Sequence, residues 1–130
     1  MSFKPHEIAF LNRADLGRLA TVQRNGTPQN SPVGFSYNAD LGTIDIAGFH
    51  MSASQKWRNI AHHPKVAFVV DDIASRDPWR VRCLEIRGTA AQVGQGDSAL
   101  IRITPIRIIS FGIDDPDTEP HELVPDIRDL

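Results

Sequence analysis

Hydrophobic and polar positions follow two different periods along the chain, and the changes from one to the other outline its elements. Pro5 to Arg13 has helical composition, with Pro5 suited to a first turn and Ile8, Phe10 and Leu11 forming an apolar patch. From Gly17 the period shortens to two. "GRLATVQ" and "PQNSPVGFSY" flank "RNGT", and Asn25-Gly26 predicts a hairpin turn whose two central residues both take positive φ. "NADLG" predicts a second turn and "TIDIAGF" a third strand with Ile44 and Ile46 on one face, which together make a three-stranded meander.

The period then lengthens again over "SASQKWRNIAHH". Ser52 is placed to act as N-cap with Gln55 at capping-box spacing, and Ala53, Trp57, Ile60 and Ala61 recur as a buried stripe. Pro64 stops this helix, and His62 and His63 suit its exposed C-terminal carbonyls. "KVAFVVD" is a β-branched run with little polar alternation, which predicts a central strand. "DIASRDPW" reads as a loop, and "RVRCLEIRGTAAQV" as a bent strand with a bend or bulge at Gly88. The turn-rich "GQGDSAL" leads to a last strand, "PIRIISFGI". Six strands with two short helices predict a mainly β chain, built as a small antiparallel barrel or sandwich.

Composition narrows the class. The chain has 130 residues, 41% of them hydrophobic and 23% charged, which suits one globular domain. That domain is expected over residues 1–113, followed by an acidic, Pro-rich extended segment over 114–130. No apolar run approaches the roughly 18 residues of a bilayer helix, and "MSFKPHEIAF" lacks a signal-peptide core. With Cys83 as the single cysteine, a reducing cytoplasm is the expected compartment. Net charge is −2 but unevenly spread, with seven acids and Arg128 alone from Asp114 onward, so the body is mildly basic. A basic body suits an anionic ligand, and ordinary surface charge explains it almost as well.

Few residues point to chemistry. Lys56 and Arg58 lie near the helix start, where the macrodipole disfavours a cation by roughly 0.3–1 kcal/mol. Either Lys56 reaches into solvent, or an anion sits there, held by first-turn N–H groups, the hydroxyls of Ser52 and Ser54, and the ammonium. Asn30, Ser31, Pro32, Val33 and Gly34 read as an edge strand whose small residues admit something flat, and Ala47-Gly48 make a similar patch just before the helix. Together these features suggest a planar, phosphorylated cofactor. Trp79 in "DPWRVR" fits core packing, a dimer contact or a ring-stacking wall. Asp71-Asp72 point to opposite faces of a strand, the five histidines lack metal-ligand spacing, and too few aromatics remain for a nucleic-acid groove.

The order of "RLATVQRNGTPQNSPVGF", "SASQKWRNIAHHPKVAFVVDD" and "CLEIRGTA" resembles the pyridoxamine 5′-phosphate oxidase-like split-barrel flavoproteins. The likeness spans roughly Pro5 to Ile113 and is greatest to their small branch assigned to the deazaflavin coenzyme F420. It implies a six-stranded split barrel, a homodimer, and two equivalent cofactor sites in clefts between subunits. Ser54, Gln55 and Lys56 would take the cofactor phosphate, while Asn30 to Val33 and Ile46, Ala47 and Gly48 would line the ring. Gln55-Lys56 stands where vitamin-processing oxidases carry an Arg-Lys pair, and the acidic segment lacks their C-terminal substrate residues. The implied activity is hydride transfer between F420 and a small molecule, with the cofactor carrying the chemistry and no side chain required as acid or base. FMN is the alternative cofactor, and a non-catalytic F420 or flavin storage protein the alternative function.

Overall fold

Strands β1 (Gly17–Val22) and β2 (Pro28–Val33) form the hairpin expected around Asn25-Gly26. Its turn is longer than the two-residue form, and Gly26 alone is left-handed, with φ +90°. The Gln23 N–H donates to Thr27 O at 2.9 Å, and Asn25 Oδ1 accepts from the Thr27 N–H at 3.0 Å. Pro28 thereby opens its strand, a position where a missing N–H breaks no ladder bond. The computed structural model describes residues 3–114 and 117–130. Asp115 and Pro116, both in the acidic segment, lie outside the described residues.

The segment "PQNSPVGFSY" breaks at Gly34-Phe35, and a short β3 (Ser36–Asn38) resumes beyond the break. β3 pairs with β4 (Thr43–Ala47) through the expected "NADLG" turn, where Gly42 has φ +69° and Asn38 Oδ1 accepts from the Leu41 N–H at 3.1 Å. The expected meander needs correction. β4 pairs on its other side with β7 (Leu100–Phe111), and β2 pairs with β1.

The sheet order is β2-β1-β5-β6-β7-β4-β3, antiparallel throughout. Its first and last strands are joined by only two residues, so they cannot lie more than about 10 Å apart where the chain crosses. The sheet therefore curls on itself into the expected split barrel, with the kink at Gly34-Phe35 as its seam. Eight strands rather than six result, because the kink divides one and β8 (Asp126–Asp129) adds another. β8 pairs with Arg107–Ser110 of β7, beyond the stretch that β4 occupies, so the acidic segment returns to lie along the body.

β5 (Lys65–Arg76) is central as expected, between β1 and β6 (Trp79–Val93). The "DIASRDPW" loop is instead mostly strand, leaving Asp77-Pro78 between β5 and β6. Polar residues suit this end because the two-stranded ribbon projects beyond the core; Arg82 Nε donates to Asp72 Oδ1 at 2.6 Å, and Arg18 pairs with Asp71. The bulge falls at Gly88 as expected, where the register passes from Arg87↔Arg107 to Gly88↔Pro105. A Cβ on Gly88 would lie 2.2 Å from Thr104 O, which explains the glycine.

Leu19, Ile44, Ile46, Phe68, Ile86 and Ile103 fill the barrel. α1 (Pro5–Arg13) covers it with Phe10 and Leu11, each contributing about 1.5–3 kcal/mol by burial. α1 also carries Glu7, which has no exposed surface. Its carboxylate accepts from Arg128 at 2.6 and 3.1 Å, Ser110 Oγ at 2.8 Å and the Lys4 N–H at 2.8 Å. Burial alone would raise the Glu7 pKa; the donated bonds and the Arg128 charge outweigh it and hold it below the usual glutamate range. One carboxylate thus fastens α1, β7 and β8 together. Among the described residues no helix is long and apolar enough to cross a membrane.

Candidate functional site

Helix α2 (Gln55–His62) follows a single 3₁₀ turn over Met51–Ala53. Ser52 lies inside that turn, so Ser54 takes the N-cap position expected for Ser52. Its Oγ accepts from the Trp57 N–H at 3.3 Å and donates to Met51 O at 2.6 Å. The expected buried stripe holds at Ile60 and Trp57 and fails at Ala53 and Ala61. Asn59 and Ile60 are buried, Lys56, Trp57 and His63 half-buried, and Ala53 and Ala61 exposed. Hydrophobic periodicity missed Asn59 on this face because the residue is polar, although its amide is bonded on both atoms once folded.

Asn59 is 1% exposed. Its Nδ2 donates to Thr21 Oγ1 at 2.9 Å and Gln29 Oε1 at 3.2 Å, and its Oδ1 accepts from Gln55 Nε2 at 2.7 Å. Gln55 Oε1 accepts in turn from Arg58 Nη2 at 2.8 Å, and Arg58 Nη1 donates to Ala53 O at 2.8 Å. Arg58 therefore folds back over the helix start, and Gln55 has protein partners on both amide atoms.

Lys56 shares the inward face with Asn59 and Ile60. The first turn of α2 contains no acidic residue, and among the described residues the ion-paired carboxylates all serve other cations. Helix geometry leaves the Gln55 and Lys56 N–H groups without intrahelical partners, whereas Ser54 satisfies that of Trp57. Orphan donors, a half-buried ammonium and a second cation folded over the same turn make a donor set suited to a phosphate.

Beside this turn lies an open cleft of about 620 Å³, lined by Ala47, Gly48, Phe49, His50, Ser52, Gly96 and Asp97. Gly48 has only Met51 Cε, 3.7 Å from where a Cβ would stand, so a flat group can approach its backbone. Phe49 is fully exposed and His50 is left-handed, with φ 54°. The sequence reading missed both. It also missed Gly96-Asp97, which reach the cleft because Ala47 pairs with Leu100 in β7.

The structure therefore gathers Ala47, Gly48 and Ser52 into one cleft, whereas Ser54, Gln55 and Lys56 follow Ser52 along the chain without lining it. Ile46 has no exposed surface and Val33 is buried, so both belong to the core and neither side chain lines the cleft. Along β2, Asn30 and Pro32 face outward while Ser31 is half-buried on the same side as Gln29. Pro32 borders a separate hollow of about 380 Å³ with Arg18, Asp71 and Arg82. Trp79 stands apart, half-exposed at the far end of the β5–β6 hairpin against Val81, Phe111, Pro120, Leu123 and Pro125. Gln92, which donates to Trp57 O at 3.0 Å, anchors α2 about 40 Å further along β6.

Cys83 is a free, half-buried thiol. Burial first, then Asp71 and Glu85, push its thiol up to about 11. Among the described residues no group of three or more His, Cys, Asp or Glu side chains could hold a metal ion.

A family model described as Pyridoxamine 5'-phosphate oxidase matches residues 3–110. A Streptomyces rimosus protein named 5a,11a-dehydrotetracycline/5a,11a-dehydrooxytetracycline reductase is 43% identical over 122 residues, covering 88% of this chain and 86% of its own. An F420 reductase of known structure superposes with a TM-score of 0.58 at 24% identity, over 75% of this chain and 90% of its own. An FMN-binding protein of Nostoc punctiforme, related to pyridoxamine 5'-phosphate oxidase, superposes with a TM-score of 0.66 at 14% identity, with both chains covered in full. At these identities the two structures speak for the fold.

Proposed function

The chain belongs to the pyridoxamine 5'-phosphate oxidase family, and from that premise we propose that it is an oxidoreductase in which reduced F420 gives hydride to an unsaturated small molecule. The observation that carries the reading is the half-buried Lys56 in an acid-free first turn, which follows closely on Ser52 in the wall of a cleft lined also by Ala47 and Gly48. When bound, the deazaflavin supplies the hydride. The protein's part is to grip and orient. Lys56 and the Gln55 and Lys56 amides hold the phosphate, Ser52 and the Ser54 turn shape the rim, and the small residues let the ring lie against backbone. Ser31, on the inward side of β2, and the main chain of Asn30 to Val33 bound the ring from another strand. No side chain is assigned as a catalytic acid or base.

FMN shares the ring-and-phosphate plan, so the same cradle fits it. One point favours F420: Arg58, folded back over the helix start, adds positive charge for a longer anionic tail. The Streptomyces relative's name supports a fused-ring substrate with a reducible carbon–carbon double bond.

A homodimer completes this reading. In this reading Trp79, at the opposite end of β6 from the Gln92 that anchors α2, serves the partner's cleft. The outer hollow of about 570 Å³ over Ala20, Val22, Ala67 and Ile106, with Ile106 46% exposed, is the surface on which a second copy would pack. The setting in this reading is the cytoplasm.

The test starts with purified protein. A colourless preparation that binds added F420 at micromolar levels, then oxidises its reduced form with a dehydrotetracycline, an enone or a quinone, bears the proposal out. Tightly bound yellow FMN assigns the alternative cofactor, F420 binding without turnover of any acceptor assigns storage, and failure to bind either cofactor refutes the site. Sedimentation as a monomer refutes the shared cleft.

A further inference from the structure

Asn59 is a costly residue at its position. A buried amide must recover all its hydrogen bonds to match an apolar side chain of the same size, and asparagine is a poorer helix former than leucine. The position is 1% exposed, next to Ile60, and would accept leucine on burial grounds alone. What asparagine adds is direction.

Its two N–H donors reach Thr21 on β1 and Gln29 on β2, which face one another in the hairpin register, and its oxygen takes the Gln55 amide from the first turn of α2. Gln29 shares the inward side of β2 with Ser31, two residues on. Asn59 is also one turn from Lys56 on the same helix face. The amide thus joins the phosphate turn, through Gln55, to β2, through Gln29, the strand whose following residues, Asn30 to Val33, the proposed function sets beside the ring.

We infer that Asn59 is a positioning residue for cofactor binding: through Gln55, Thr21 and Gln29 it fixes the Lys56 turn at a set distance and angle from β2, matched to a phosphate-bearing planar ligand. The inference rests on the anion reading of Lys56. An apolar residue would fill the same space without fixing that angle, because dispersion contacts lack the directionality of three hydrogen bonds.

A double-mutant cycle distinguishes positioning from packing. F420 and, separately, FMN are titrated into the wild type, Asn59→Leu, Lys56→Ala and the double variant, with urea unfolding run on each. Positioning predicts that Asn59→Leu weakens binding tenfold or more when Lys56 is present and less than threefold when it is absent. Thr21→Val, which removes one acceptor at nearly constant shape, should weaken binding at least threefold in the Lys56 background, and it serves if Asn59→Leu does not fold. Equal losses with and without Lys56, or undiminished binding in both Asn59→Leu and Thr21→Val, overturn the inference while leaving the anion site in place. Undiminished binding by Lys56→Ala removes the anion site, and this inference with it.

Discussion

Arg128→Ala removes two of the four hydrogen bonds that a fully buried Glu7 carboxylate receives, together with the charge that balances it. The Ser110 hydroxyl and the Lys4 N–H remain, at 2.8 Å each. Two charge-assisted bonds at about 1.5–3 kcal/mol apiece suggest a loss of roughly 3–6 kcal/mol. Breaking a buried ion pair from one side costs about 3–5 kcal/mol, which agrees. Against a typical domain stability of about 5–15 kcal/mol, that is a large fraction. β8 contains only Asp126–Asp129, and with its central anchor gone it should detach before the barrel unfolds. Urea unfolding should therefore show a lower midpoint, with hydrogen exchange quickened first across Arg107–Ser110. Replacing both partners by Glu7→Leu and Arg128→Met should recover much of the loss, because no charge is then stranded. A loss under about 1 kcal/mol for Arg128→Ala would show that water reaches Glu7, and would refute its role as the fastening of three elements. The pH dependence has a definite sign. A carboxylate whose folded pKa is depressed adds stability above its unfolded pKa, near 4.3, and loses it as pH falls through the folded value. Stability should drop on acidification below about pH 4–5, and Glu7→Gln should flatten that part of the curve.

Lys56→Ala should weaken F420 binding by about 1.5–3 kcal/mol in a fluorescence titration while leaving the unfolding free energy in urea within about 0.5 kcal/mol of wild type. Gly88→Ala forces a Cβ toward the Thr104 carbonyl and should cost roughly 1–3 kcal/mol in the same unfolding assay. Cys83, with its thiol pushed up to about 11, should resist iodoacetamide at neutral pH, and labelling should accelerate as pH approaches that value.

Much of the fold was legible because local signals agreed with one another. Gly88 marked the bulge, Asn38 and Gly42 marked a turn, and the alternation of Ile44 and Ile46 marked a core face. Pairing was less legible. Strand neighbours along the chain look like a meander, and nothing in "PQNSPVGFSY" says that its two halves pair on opposite sides of a closed sheet. The helix face was legible at Ile60 and Trp57 but not at Asn59, which counts as polar in any periodicity and which only Thr21, Gln29 and Gln55 make buriable. Lys56 stood out in the sequence because it sits against the dipole, and its half-buried position keeps that question pointed at an anion. Phe49 and Asp97 could not be joined from sequence, since β4–β7 pairing across the barrel brings them to one cleft.

The Gly34-Phe35 kink also bears on how the chain folds. Hairpins such as β1–β2 and β3–β4 can assemble locally within microseconds, but Leu19↔Phe68 and Ile46↔Ile101 must each close a long loop. Because one bent stretch belongs to both hairpins, bringing either into place tethers the other within reach of its partner strand. Closure of the two seams is thereby coupled, which favours a single cooperative transition over a lasting half-built sheet.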